Sequence, residues 1–197
     1  NSTKDTLHNV LEVPEVVIGN VNFDMVQQVS LSSTEYETGV DEFIKSGLTK
    51  KPAELVKPPL IAESPVNFEC KVIEVKPLGN EGGAGNLVIC EVLKIHIREE
   101  FLNEEGNLDQ KKLDLVSRLG GNWYGRTSAE TLFEVPKPLV TKGIGFDQLP
   151  SEIRNSKIFT GNDLGMLANV EQLPEGNFSA DENLHLEAQK LLLEGKI

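Results

Sequence analysis

VNFECKVIEV (residues 66–75) and LVICEVLKIHI (residues 87–97), joined by the glycine-rich stretch KPLGNEGGAGN, decide how this chain is read. In the second run Leu87, Ile89, Leu93, Ile95 and Ile97 share one parity, interrupted by Glu91. Val88, Cys90, Val92, Lys94, His96 and Arg98 share the other. Apolar residues recurring at period two predict a long antiparallel pair within a β-sheet or barrel.

Upstream, KPPLIAESP (57–65) carries three prolines around a small apolar patch and reads as an extended connector. GVDEFIKSGL (39–48) predicts a short helix closed at Gly47, and residues 24–31 predict another. EVVIGNV (15–21) is short and β-branched, as a buried strand requires. Before it, Leu7, Val10 and Leu11 recur at helical spacing until Pro14, with Ser2 or Thr3 as the N-cap.

Downstream, DQKKLDLVSRL predicts a short helix or turn, GGNWYGRTS (120–128) a glycine-rich loop, and ETLFEV (130–135) a last strand. Pro136 and Pro138 mark a boundary, dividing the chain into a domain at 1–136 and an extension at 137–197. In the extension, LPSEIRNS and TGNDLGMLANV predict short helices, the second capped by Asn162 or Thr160. Asp181 caps a last helix with Leu184, Ala188, Leu191 and Leu192 on one side. So short a segment is not expected to hold a core alone, but to pack on the first domain or on a partner subunit.

The 197 residues carry a net charge of −12. A surface this acidic repels phosphate backbones and anionic lipid, so neither nucleic acid nor membrane is an expected partner. No apolar run reaches the roughly 20 residues of a membrane helix, and no basic-then-apolar leader opens the chain, from which a cytoplasmic protein is expected. Cys70 and Cys90 lie in strand-like runs outside any CxxC pair, as reduced cysteines of such a protein would. The three histidines show no metal-ligand spacing.

Two stretches could carry chemistry. The opening NSTKDTLHN places Ser2, Thr3, Lys4, Asp5 and Thr6 at a helix start. Hydroxyls, a lysine and unpaired N–H groups are the parts of a phosphate seat, and equally the parts of an ordinary capped helix. In RLGGNWYGR, Trp123 and Tyr124 offer flat faces and Arg118 and Arg126 offer anion-pairing forks. The same loop could equally plug a sheet edge with its aromatics. Glu69 and Glu91 could form an acid/base couple, although strand carboxylates more often face solvent or bond a neighbour. For His96 exposure or a structural hydrogen bond is expected before catalysis. No GxSxG, HExxH, P-loop or strand-borne GxGxxG occurs, so hydrolase and ATPase readings have no support.

The ordered set of pieces resembles the flavin reductase-like family of FMN-binding split-barrel proteins, which includes the flavoredoxins. It comprises the KDT helix start, VDEF with a following GL, PPLIAESPVNFEC, the long strand with its histidine, and RLGG with the following Tyr124 and Arg126–Thr127. The likeness covers about residues 3 to 135. It implies a mainly β fold with helices, an antiparallel split barrel, with the C-terminal helical extension appended. Family members have further strands before the helix, so it also implies barrel strands preceding Asn1. Lys4, Asp5 and Thr6 become one side of an FMN phosphate site, flanked by Ser2 and Thr3. Asn9, Tyr124 and Arg126 become candidate flavin or substrate contacts.

The implied protein is a homodimer that uses FMN to pass reducing equivalents from NADH or NADPH to a flavin or another redox acceptor. The alternative is a non-catalytic FMN electron carrier docking to redox partners. Because flavin carries the redox chemistry itself, no nucleophile or acid/base pair is required of the chain, and no catalytic residue is assigned.

Overall fold

The glycine-linked runs pair as their alternation predicts. In the computed structural model, which describes residues 5–81, 84–135 and 137–195, they form β4 (Val66–Pro77) and β5 (Asn86–Ile97), antiparallel over their length. The chain divides into two units, Asn1–Phe133 and Glu134–Ile197.

In the first unit, α1 (Asp5–Glu12) leads into β1 (Glu15–Gly19), which pairs antiparallel with β4 and gives the sheet order β1-β4-β5. Next come α2 (Val26–Ser32) and α3 (Glu42–Ser46). The α3 start is fixed by Asp41, whose carboxylate accepts from Phe43 N at 3.1 Å. Its end is fixed by Gly47 at φ 68°, a left-handed C-cap that suits glycine. The Gln28 amide donates to the carbonyls of Ser46 and Gly47, tying α2 to the end of α3.

The period-two stripe does not continue unbroken. Register slips between Glu69 and Cys70 leave Leu93 unpaired on β5, and slips between Val72 and Glu74 leave Ile73 unpaired on β4. Each bulge inserts one residue and exchanges the faces beyond it. Ile97, Ile95 and Val92 therefore stand opposite Val66, Phe68 and Cys70 on one face. Leu87 and Ile89 fall with Glu91 on the other, and the single stripe expected from 87 to 97 is split in two.

Val66 and Phe68 pack against Phe101 and Leu113 in a core cluster with Leu108 and Leu115. The opposite face of β4 is covered by the proline-rich segment, which is more than a connector. It holds β3 (Leu60–Ile61), which pairs antiparallel with β2 (Lys50–Lys51) just upstream in a two-stranded sheet. The buried Asn67 side chain accepts from Ile61 N and donates to Ile61 O, both at 3.0 Å, copying a strand pairing. Ser64, fully buried, donates to Asn20 O and Val66 O, each at 2.8 Å.

After the sheet come α4 (Gln110–Leu113), β6 (Leu115–Arg118) and β7 (Tyr124–Thr127). Here the structure corrects two expectations. The stretch read as helix-or-turn followed by a glycine loop contains an antiparallel hairpin, with Gly121 at φ 60° in its connection. The strand expected at 130–135 is absent. Residues Ala129–Thr131 form a 3-10 turn, and Phe133 and Val135 are exposed with no ladder partner, so β-propensity alone formed nothing.

The second unit holds α5 (Ser151–Arg154), α6 (Gly161–Leu167) and α7 (Glu182–Leu193). Thr160 is the α6 cap, in a reciprocal box with Asp163. Leu149, Phe159, Leu164, Ala168 and Leu192 form a small core within the unit, which a segment of this size was not expected to hold. The buried face of α7 runs through His185, Ala188 and Leu192, while Leu184 is exposed. Among the described residues no helix is long and apolar enough to cross a membrane.

Candidate functional site

Positions 5, 8, 9 and 12 lie on one side of α1, because residues three and four apart are neighbours on a helix. Asp5, His8, Asn9 and Glu12, with Thr6 beside them, line a cleft of about 1070 Å³. Val10 anchors the opposite side of the helix in the protein. The facing wall is the segment after α2 and the start of α3, including Thr34, Tyr36, Thr38 and Phe43, with Leu48 and Ile61 also lining the cavity.

The sequence-predicted residues Asp5, Thr6 and Asn9 are thus brought to one cavity. Ser2, Thr3 and Lys4 lie outside the described residues. The facing wall was not legible in the sequence as part of a site, since its approach to α1 is a non-local contact with no motif.

The cleft supplies two kinds of surface. The side chains of Thr6, Asn9, Thr34 and Thr38 make no hydrogen bond to other described residues. Tyr36 and Phe43 are aromatic. Lys45 Nζ sits 5.6 Å from the Tyr36 ring centre and Lys50 Nζ 5.4 Å from that of Phe43. Asp5, Glu12, Glu35 and Glu42 also line the cleft, with no lysine or arginine among its described lining residues. Hydroxyl and amide donors beside flat apolar faces suit a planar, hydroxylated and phosphorylated ligand.

Tyr124 and Arg126 are not in this cleft. They line a separate groove of about 380 Å³ formed by the β6–β7 hairpin and α2; Ser33 lines both cavities. Val116 pairs with Arg126 and Arg118 with Tyr124, so alternation sets all four on one hairpin face, which lines the groove. Arg126 is already engaged. Its guanidinium donates to both Asp114 oxygens, at 2.8 and 2.6 Å, and lies 3.7 Å over the Phe23 ring. Those hydrogen bonds hold the Asp114 carboxyl below its ordinary range and raise the Arg126 pKa.

Glu69 and Glu91 do not couple. Glu69 is fully buried and accepts from three backbone N–H groups, Glu54 at 2.9 Å, Leu55 at 2.6 Å and Val56 at 3.1 Å. His96 Nε2 lies 2.5 Å from Oε1, the oxygen that also accepts from Glu54 N. Lys94 Nζ meets Glu54 at 2.5 Å just outside. This is a structural clamp on the loop before β3; of the two outcomes expected for His96, exposure or a structural hydrogen bond, the second is found.

The chain belongs to the flavin reductase like family, whose domain model matches residues 1–115. An uncharacterized protein of Halalkalibacterium halodurans, BH2278, is 36% identical over 141 residues, 71% of this chain and 66% of the relative. Among solved structures, nitrilotriacetate monooxygenase component B from Bacillus cereus is 25% identical with a TM-score of 0.61, covering 67% of this chain and 65% of that one. A split-barrel-domain protein from Shewanella frigidimarina is 22% identical with a TM-score of 0.59, covering 68% and 65%, and shows the fold alone. The fold is accordingly of the split-barrel type, mainly β with helices. The chain spans between about half and two thirds of the length of the curated relatives it matches.

Proposed function

We propose that this chain is part of an FMN-dependent oxidoreductase that passes reducing equivalents from NADH or NADPH to a flavin or another acceptor. The observation that carries the reading is the cleft under α1, lined by Asp5, Thr6 and Asn9 and lying within the family-matched segment. When bound, FMN would supply the hydride and electron chemistry. The chain's own task is to hold and orient it. Thr6 and the first-turn N–H groups of α1, with Lys4, would take the phosphate. Asn9 and the Thr34–Thr38 segment would take the ribityl hydroxyls, and Tyr36 and Phe43 would flank the ring. Tyr124 and Arg126, in the neighbouring groove, then fall on the substrate side. The reading includes a cytoplasmic homodimer, for which the exposed residues Ile18, Val92 and Ile95 on one sheet face offer apolar surface.

The test is direct. FMN fluorescence should be quenched on titration into the full-length protein, with Thr6→Val combined with Asn9→Leu weakening the affinity at least tenfold, and Lys4→Ala doing likewise. Unchanged affinity in these variants would remove the assignment of the cleft. Anaerobic stopped-flow mixing of the loaded protein with NADH or NADPH should bleach the flavin. Bound flavin that neither nucleotide bleaches would leave an electron carrier instead.

A further inference from the structure

We propose that the hairpin groove is a second binding site, for a planar organic anion, in which Arg118 pairs with the anionic group and Tyr124 packs on the ring. The argument begins with charge. The chain carries −12 overall, and the cleft under α1 is lined by four carboxylates with no described lysine or arginine. The groove reverses that pattern, with two arginines and no aspartate or glutamate among its lining residues. One of the two charges is spent, because Arg126 is held through Nε and Nη2 by Asp114 and lies over the Phe23 ring. The other is not. Arg118 lies within 4.0 Å of no carboxylate among the described residues and makes no described hydrogen bond. An unspent cation in a concave site on an acidic protein is an anion receptor by elementary electrostatics.

The second half of the argument is register. Arg118 and Tyr124 are direct cross-strand partners in β6–β7, which brings their Cβ atoms to about 5 Å and both side chains to the groove side. A forked cation and a half-exposed phenol ring standing together match a ligand that is charged at one end and flat at the other. Arg126 is matched by Asp114 and is also acted on by Asp24 and Glu130, so attraction for the anion should come from Arg118 alone.

The role of the groove as the seat of the electron acceptor rests on the proposed flavin function, since Ser33 lines both cavities. The binding claim does not rest on it. Trp123, the sole tryptophan, lies in the hairpin connection and reports binding through its fluorescence. Benzoate should give a saturable change with a Kd at least tenfold below that of benzamide. Arg118→Gln should erase that preference, Arg118→Lys should restore part of it, and Tyr124→Ala should weaken both ligands.

Benzoate titration should give the same result with FMN already bound. Equal affinity for benzoate and benzamide, an undiminished preference in Arg118→Gln, no saturable response to benzoate, or displacement of benzoate by FMN would each overturn the proposal. Failure of FMN to bind while benzoate still binds would remove the flavin reading and leave this site standing.

Discussion

Glu69→Ala is expected to cost the amino-terminal unit about 3–5 kcal/mol, a large part of the stability of a small domain. The carboxylate is fully buried and has four partners, three of them backbone N–H groups of one loop. Removing it leaves those donors without an acceptor inside the protein, and His96 loses the group that orients it. Glu69→Gln should cost less, because the amide oxygen can still accept, but its NH₂ group opposes a donor already in place. Urea denaturation followed by far-UV circular dichroism measures both variants; a loss below 1 kcal/mol for the alanine variant would show that the loop does not depend on this clamp.

The same group sets an acid limit. Burial by itself would push the Glu69 pKa up, but the N–H donors of Glu54 and Leu55, then His96 and Val56, pull it down to about 2. The folded value therefore lies below the unfolded one. Its contribution to stability is fully present above the ordinary carboxylate range and is lost as pH falls from about 4.5 towards 2. In Glu69→Gln that part of the acid dependence should be missing, which a denaturation series across pH 2–6 would read.

The second large effect is expected in the carboxy-terminal unit. His185 is buried, its Nε2 is 2.7 Å from Ser179 O, its Nδ1 is 2.8 Å from Ser156 Oγ, and its ring lies 4.9 Å from that of Phe159. A carbonyl can only accept, so Nε2 carries a proton and donates to Ser179 O. The imidazole thus joins α7 to the chain on both sides of α6. His185→Leu keeps the volume but removes the ring's bonds to Ser179 O and Ser156 Oγ, at about 1–3 kcal/mol. Amide hydrogen exchange should then show lost protection in α6 and α7, with β4 and β5 unchanged. Equal loss in both units would contradict the independent core described for this segment.

The parts of this fold that could be read from the chain are those whose causes are local. The β4–β5 pair follows from period two, and α3 from Asp41 at one end and Gly47 at the other. The bulges at Leu93 and Ile73 could not be read, because nothing in either strand alone marks where its partner slips. Glu69 reads as a solvated strand acid unless one knows that residues 54–56 fold back over it, and that contact spans more than a dozen residues. The hairpin of β6 and β7 was hidden by its glycines, which read as loop although Gly120 and Gly121 serve the connection and Gly125 pairs within β7. At the candidate site, the cavity-facing side of α1 follows from helical spacing, whereas its opposing wall depends on how α2 and α3 are tethered through Gln28. Arg126 reads as an available cation, and only the Asp114 pairing shows that it is not.

One consequence of the two differently lined cavities concerns added electrolyte. At about 0.1 M salt, exposed charges are screened beyond roughly 10 Å. Screening would relieve the repulsion that the carboxylate-lined cleft exerts on a phosphate, and would weaken the pull of Arg118 on a carboxylate in the groove. Raising sodium chloride should therefore tighten one equilibrium while loosening the other, so that a single titration series tells the two occupants apart without altering a residue.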